Sequence, residues 1–382
     1  MIKIIDKEQC CGCSACLHFC PKKSITFKED KEGFLYPSVN METCIDCGLC
    51  EKVCPVLNQN EERIPEKVYA AKHEDDEIRM KSSSGGIFTL LADQILDEGG
   101  VVFGARFNDK WEVIHDYTET KEGLAPFRGS KYVQSYIGDS YKIAETFLKN
   151  GRKVMFSGTP CQIAGLKKFL RKEYDNLLAV DFVCHGVPSP MVWRKYLEEE
   201  IANQGGAVLT GVNFRDKSIG WKDFSFVLNF SKEEGTIKHN YALSSVFTEN
   251  AYMKAFLSNL SLRPSCYACP AKAGKSGADI TIGDFWGIEN VMSEFDDDRG
   301  VSLVFLHNQR CLINCFSKIV GVEYSDTLKG NFCVRSSVVK PINRNYFYHC
   351  ISSNRLSTSL TMTSSPKVVC RFKRLIFRKL YE

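Results

Sequence analysis

Two copies of one cysteine pattern occupy the first sixty residues and constrain the chain more than any other feature. Cys10, Cys13, Cys16 and Cys20-Pro21 follow the spacing Cys-x2-Cys-x2-Cys-x3-Cys-Pro, and Cys44, Cys47, Cys50 and Cys54-Pro55 repeat it in full. Three closely spaced thiolates wrap three irons of a cubane through one tight loop, while the fourth cysteine crosses to the neighbouring cluster. The expected ligand sets are Cys10, Cys13, Cys16 and Cys54 for one [4Fe-4S] cluster, and Cys44, Cys47, Cys50 and Cys20 for another. Zinc also takes four thiolates, but its sites usually pair two Cys-x2-Cys knuckles over a longer gap. Cys11 lies inside the first loop but outside the spacing, and reads as a spare thiol.

The chain has 18 cysteines among 382 residues, and Met1 to Glu8 carry no apolar run of the kind that exports a protein. A reducing, cytoplasmic location is expected, where dense cysteines mean metal or catalysis rather than a disulfide framework. A net charge of +4 gives no basic footprint for nucleic acid. No apolar run is long enough to span a bilayer. The length suits a small module beside a larger body.

Residues 58–67 (Asn-Gln-Asn-Glu-Glu-Arg-Ile-Pro-Glu-Lys) lack apolar periodicity and read as a linker. Three parts are expected: 1–60 for the cluster module, 66–310 for a body, and 311–382 as a C-terminal extension. In the body, strand-like runs at 68–71, 101–107, 154–156 and 177–183 alternate with helical patterns near 85–96 and 162–170. Further runs at 208–214 and 224–230 suggest antiparallel strands, followed by a helix around 246–257 and a strand at 279–282. The expected class is α+β: a small two-cluster ferredoxin-like domain fused to a larger mixed α/β domain. Residues 367–382 interleave basic and apolar side chains, a pattern suited to packing on the body, to a partner, or to an anionic membrane surface.

Four later cysteines sit in contexts that look chemical: Gly158-Thr159-Pro160-Cys161-Gln162, Val183-Cys184-His185-Gly186, and Cys266-Tyr267-Ala268-Cys269-Pro270. Cys161 and Cys184 each follow a strand-like run, so parallel neighbouring strands would present both at one edge, with the Cys266/Cys269 pair closing over them. Four thiolates suffice for a third cubane; the competing reading is buried or redox-active thiols. Cys311, Cys315, Cys333, Cys350 and Cys370 lack such spacing and read as packing residues. Ser82-Ser83-Ser84-Gly85-Gly86 precedes an apolar stripe at helical spacing, so its free N–H groups and glycines suit a phosphate.

The first sixty residues resemble bacterial two-cluster ferredoxins. Lys81 to Gly86, Arg128-Gly129-Ser130-Lys131-Tyr132-Val133-Gln134-Ser135, the 158–162 loop, Cys184-His185-Gly186, the Cys266/Cys269 pair and Ile282-Gly283-Asp284-Phe285-Trp286-Gly287 resemble, in order and spacing, the family of coenzyme F420 hydrogenase/dehydrogenase beta subunits. The resemblance implies a domain holding FAD and a [4Fe-4S] cluster that passes electrons between a reduced deazaflavin and iron-sulfur carriers. It implies that Ser83, Ser84, Gly85 and Gly86 face the FAD phosphates. Lys131, Tyr132, Gln134 and Thr159 would line the flavin region, although Lys131 and Tyr132 also suit a structural loop. His185 suits cluster tuning, proton shuttling or a structural role, and Asp284 to Gly287 either shape the pocket or belong to the core.

The activity so implied is that of a flavin- and iron-sulfur-dependent oxidoreductase, with a ferredoxin or another redox subunit as partner and a deazaflavin or other small molecule as substrate. Two alternatives stand beside it. One is a ferredoxin-driven reductase of another metabolite, some relatives lying among surface-polysaccharide genes. The other is a non-enzymatic relay subunit.

Overall fold

The computed structural model describes residues 1–234, 237–308 and 318–365. Cys311, Cys315, Cys370 and the basic stretch 367–382 lie outside the described residues.

Near the N-terminus, α1 (Ala15–Phe19), a hairpin of β1 (Ile25–Glu29) and β2 (Leu35–Val39), and α2 (Leu49–Lys52) build the small module. The body continues with β3 (Lys67–Lys72), α3 (Asp76–Lys81), α4 (Ile87–Asp97), β4 (Val101–Phe107), β5 (Val113–Thr118) and α5 (Ser140–Lys149). Next come β6 (Val154–Gly158), α6 (Pro160–Leu170), β7 (Leu177–Phe182), α7 (Pro190–Asn203), β8 (Val208–Asp216), β9 (Ser225–Glu234), β10 (Ile237–Val246) and α8 (Ala251–Leu257). The rest comprises β11 (Ile280–Asp284), β12 (Ser302–Leu306), β13 (Lys318–Gly321), α9 (Tyr324–Gly330), α10 (Arg344–Ile351) and α11 (Leu356–Ser364).

An eight-stranded mixed sheet, in the order β13-β3-β12-β11-β7-β6-β4-β5, forms the centre. Its middle pairs β11/β7, β7/β6 and β6/β4 are parallel, and its flanks are antiparallel. The middle strands read as unbroken apolar runs because helices cover both faces. Alternate residues point to opposite sides. Val102, Met155 and Val180 pack on Ile87, Leu91 and Ile95 of α4. Val101, Phe103, Val154, Phe156 and Ala179 pack on Tyr141 of α5 and on Ile163 and Leu166 of α6. A second, antiparallel sheet, β10-β9-β8, packs on α7, α8, α10 and α11 around Trp193 and Tyr252.

The class expected from the sequence, a small ferredoxin-like region and a large mixed-sheet domain, is the one observed. Two local expectations change. Val246 does not open a helix: it ends β10, where Ser244 to Val246 pair with Val227 to Ser225, and α8 starts at Ala251 behind an Asn250 cap. The residues read as a linker are also held fast. Asn60 Nδ2 donates to the Lys275 carbonyl (2.9 Å) and Arg63 Nη2 to that of Ala278 (2.7 Å), so this polar strap meets its hydrogen-bonding needs on protein.

The module and the body share a core. Cys11, Cys13, Ala15 and Val53 join the cluster that contains Phe156, Ile163 and Leu166. At Gly165 of α6 an added Cβ would lie 2.7 Å from the Cys13 Cβ, so this glycine lets the cysteine loop touch the helix. Residues beyond 310 contribute as well, since β13 pairs with β3 and Phe347, Ile351 and Leu356 enter the core beside α8. Among the described residues no helix is long and apolar enough to cross a membrane.

Candidate functional site

The two N-terminal loops bend alike. Gly12 and Ser14 take positive φ (71° and 66°), and Asp46 and Gly48 repeat this (47° and 71°), each pair turning the chain back into a short helix. The repeat in spacing is thus a repeat in backbone path. Cys10, Cys13, Cys16 and Cys54 lie close together, with Cys50 beside them: Cys10, Cys54 and Cys50 are neighbours of Cys16, and Cys54 and Cys16 of Cys13. Burial, followed by the adjacent thiols, pushes the Cys16 thiol far up. Cys20, Cys44, Cys47 and Cys50 line a separate cavity of about 360 Å³ of empty space. There the Ile2 N–H donates to Cys50 Sγ (3.2 Å) and the Ser24 N–H to Cys20 Sγ (3.3 Å), bonds of the kind that set cluster potentials. Cys47 is exposed on its rim, beside exposed Ile45.

Cys161, Cys184, Cys266 and Cys269 converge on one cavity. Topology explains this. β6 and β7 run parallel with Gly158 opposite Asp181, so the residues just past their C-terminal ends, including Cys161 and Cys184, emerge side by side. Thr159 caps α6, accepting from the Gln162 N–H, and Pro160 opens the helix, which fixes Cys161 in the first turn. Burial pushes the Cys266 thiol up to about 12 and that of Cys269 to about 11, so loading these thiols with metal must release protons. Among the described residues no group of three or more His, Cys, Asp or Glu forms a single-ion site; a cubane instead seats each thiolate on its own iron.

Several functional neighbours have no signature in the sequence. Cys11, read as a spare thiol, is buried at 4% exposure on the lining of the third cavity, with the thiols of Cys13 and Cys161 as neighbours. Arg263 and Lys272 line the same cavity; Lys272 Nζ donates to the carbonyls of Cys184 and Cys333 (the latter 2.6 Å). A buried polar string also ends there. His115 Nε2 meets the Ser157 carbonyl (3.0 Å), which can only accept, so Nε2 carries the proton and Nδ1 accepts from Ser135 Oγ (2.9 Å). Gln162 Nε2 donates to Ser135 (2.9 Å), leaving Gln162 Oε1 for Thr159, whose Oγ1 also lies 3.2 Å from Cys161 Sγ. Burial pulls His115 down to about 4, so the string stays neutral at pH 7.

The residues expected to meet a flavin are spread more widely. Thr159 sits at Cys161 as just described. Gln134 joins the module to the body, its Nε2 donating to the Cys11 carbonyl (3.1 Å). Tyr132 stacks on Phe256 (4.7 Å) and its hydroxyl accepts from Arg215 (3.3 Å). His185 is held by Asn259 (2.6 Å), Phe285 is core, and Trp286 stacks on Trp221 (4.9 Å). Ser83 Oγ accepts from the Ser130 N–H (2.7 Å) and Ser84 Oγ donates to the Val301 carbonyl (2.8 Å). Gly85 and Gly86 are small because protein fills their space: a Cβ on Gly85 would lie 2.5 Å from the Ala71 carbonyl oxygen, and one on Gly86 2.8 Å from the His73 Cβ. Gly85→Ala should therefore cost about 1–3 kcal/mol of stability in flavin-free protein. A thermal melt checks this, and an unchanged midpoint would show that the backbone at Ala71 gives way to the added methyl.

One feature there suits an anion. Helix α4 begins at Gly86 with no side-chain cap. Among the described residues the Lys131 ammonium donates only to the carbonyls of Arg128 (3.0 Å) and Gly129 (3.1 Å), and burial draws its pKa down to about 7.

Comparison with known proteins places these features. Residues 68–139 match the N-terminal domain of the coenzyme F420 hydrogenase/dehydrogenase beta subunit, residues 151–319 its C-terminal domain, and residues 9–58 a 4Fe-4S dicluster domain. The coenzyme F420-dependent sulfite reductase of Methanocaldococcus jannaschii is 26% identical over 204 residues, covering 51% of this chain and 30% of that protein. One subunit of the F(420)H(2) dehydrogenase of Methanosarcina mazei is 24% identical over 196 residues, covering 48% of this chain and 55% of that one. The chain thus spans about half or less of these relatives. A chain of the F420-reducing [NiFe] hydrogenase complex from Methanosarcina barkeri aligns over 70% of this chain and 84% of its own length, with 19% identity and a TM-score of 0.44. The chain belongs to the family of coenzyme F420 hydrogenase/dehydrogenase beta subunits and carries a 4Fe-4S dicluster domain ahead of the family's two domains.

Proposed function

We propose that this protein is an iron-sulfur flavoprotein oxidoreductase that exchanges electrons between a two-electron substrate, reduced coenzyme F420 or a similar deazaflavin, and ferredoxin-type [4Fe-4S] clusters. The observation that carries this reading is the convergence of Cys161, Cys184, Cys266 and Cys269 from three separate segments on one cavity, beside the first ferredoxin loop. Free cysteines are often buried singly as small apolar residues. Four on one cavity, with two cations on its wall, fit a cubane whose ligands are anionic.

FAD, when bound, supplies the exchange between two-electron and one-electron chemistry. The chain's part is to hold and shield it. The uncapped start of α4 and the Lys131 ammonium, whose hydrogen bonds go to backbone carbonyls, suit the FAD phosphates. Ser83 fixes the 128–131 loop beside that helix through Ser130. The exposed rim of Ile45 and Cys47 suits a small electron-carrier protein as partner, because an apolar lip at an exposed cysteine brings two redox centres close without desolvating charge.

The test is an anaerobic mix of cluster- and FAD-reconstituted protein with reduced coenzyme F420, following flavin and cluster absorbance, with dithionite as the control for reducibility. Prompt bleaching by the deazaflavin is expected. Bleaching by dithionite alone would replace this reading with a ferredoxin-driven reductase of another metabolite, and failure to retain flavin would favour a relay role.

A further inference from the structure

Four arginines are buried to 4% exposure or less: Arg79, Arg215, Arg263 and Arg344. Three of them pair with a carboxylate. Arg79 meets Asp297, Arg215 meets Asp284 at 3.0 Å, and Arg344 meets Glu32 at 2.7 Å. Arg263, at 0% exposure the deepest, has no Asp or Glu partner among the described residues. Its Nε donates to the Cys10 carbonyl (2.7 Å), Nη1 to Gln134 Oε1 (2.9 Å) and Nη2 to the Leu35 carbonyl (2.9 Å), all neutral oxygens. Phe34 and Tyr36 cover its plane, the Tyr36 ring centre 4.4 Å away.

A guanidinium taken wholly out of water without an anion is strongly disfavoured, so a counter-charge must come from elsewhere. Sulfur is what surrounds it. Nη2 lies 3.6 Å from Cys10 Sγ, and Cys11 and Cys266 are among its charge neighbours. The loop is shaped to admit it: a Cβ on Gly12 would lie 2.8 Å from Arg263 Nη1, in a backbone conformation that already favours glycine. Cys10 belongs to the first ferredoxin set, whereas Cys266 belongs to the third cavity, whose wall Arg263 also forms.

We propose that Arg263 is a positioning residue shared by two cluster sites, its guanidinium being the counter-charge both for the Cys10/Cys13/Cys16/Cys54 thiolates and for the Cys161/Cys184/Cys266/Cys269 thiolates. This rests on reading the third cysteine set as a cluster site. Reduction adds negative charge to a cluster, so a fixed cation between two sites favours the reduced state of both. The second ferredoxin set lines its own cavity, of which Arg263 forms no part. Arg263 thereby ties the stability and the potential of the first and third sites together, and Cys11, with Cys13 and Cys161 as neighbours, lies at the same junction.

The experiment is an anaerobic redox titration of the full-length reconstituted chain, followed by electron paramagnetic resonance, with signals identified through Cys184→Ala and Cys44→Ala. Arg263→Gln should lower the reduction equilibrium of the first and third clusters at least tenfold, about 59 mV for a one-electron couple, and leave the second unmoved. Arg263→Lys, which keeps the charge, should recover most of the shift. If Arg263→Gln loses its clusters, Gln134→Glu makes the same test by placing a carboxylate where an oxygen now lies 2.9 Å from the guanidinium; it must lower the same two potentials. Unmoved potentials in both variants, or an equal shift in all three clusters, overturn the proposal. Iron in the wild-type protein is counted first: about eight rather than about twelve per chain sinks the third cluster itself, which is a separate failure.

Discussion

Cys266→Ala is expected to lose about four irons per chain while the signals of both ferredoxin-type clusters persist. The reason is geometric. Cys266 Sγ lines the third cavity and accepts the Val187 N–H at 3.4 Å, and the thiols that interact with it, Cys269, Cys161 and Cys184, are all members of the same set. Cys161 differs, because the Cys11 thiol is its neighbour and would be placed to replace it as a ligand. Cys161→Ala should thus lose fewer than four irons, and Cys161→Ala with Cys11→Ala about four. Iron assay with electron paramagnetic resonance of the dithionite-reduced protein separates these outcomes. Unchanged iron in Cys266→Ala would mean that the third cysteine set holds no cluster.

Glu32→Ala should destabilise the folded chain by about 3–5 kcal/mol, the usual cost of stranding a buried charge. Glu32, in the turn between β1 and β2, receives two bonds from Arg344 of α10, Nη1 to Oε1 at 3.1 Å and Nη2 to Oε2 at 2.7 Å. The carboxylate is 8% exposed and the arginine 2%, so water cannot replace the lost partner. Arg344 also donates to the Leu262 carbonyl (2.7 Å) and the Tyr267 hydroxyl (3.0 Å), which fixes it when the carboxylate is removed. A denaturant midpoint measures the effect. Glu32→Leu combined with Arg344→Leu should recover much of the loss, since apolar replacement of a whole buried pair is often neutral. An unmoved midpoint in Glu32→Ala would show that the hairpin and α10 do not depend on each other.

That pair spans 312 positions of sequence and has no local signature. It also shows why the C-terminal extension was illegible. Between residues 318 and 365 lie one strand and three helices whose apolar faces mean nothing until α7, α8 and β3 are in place. The sheet centre was legible for the opposite reason, because β4, β6 and β7 announce their burial in runs such as Val101-Val102-Phe103. The strap at 58–67 misled because polarity identifies residues that avoid the core but not those that hydrogen-bond along its edge. In Gly85 and Gly86 the sequence carried a real constraint, and only the structure shows that Ala71 and His73 of the same chain occupy the space of their missing side chains.

The sequence by itself determined the ferredoxin module and the strand-end origin of Cys161 and Cys184, since ligand spacing and apolar runs are properties of neighbouring residues. Only the tertiary structure decided that Cys11 lies between two cysteine sets and that Arg263 is the one deeply buried arginine without a carboxylate among the described residues. Burial of charge is a property of whatever packs around it, and Cys10, Gln134 and Cys266 reach Arg263 from three distant parts of the chain.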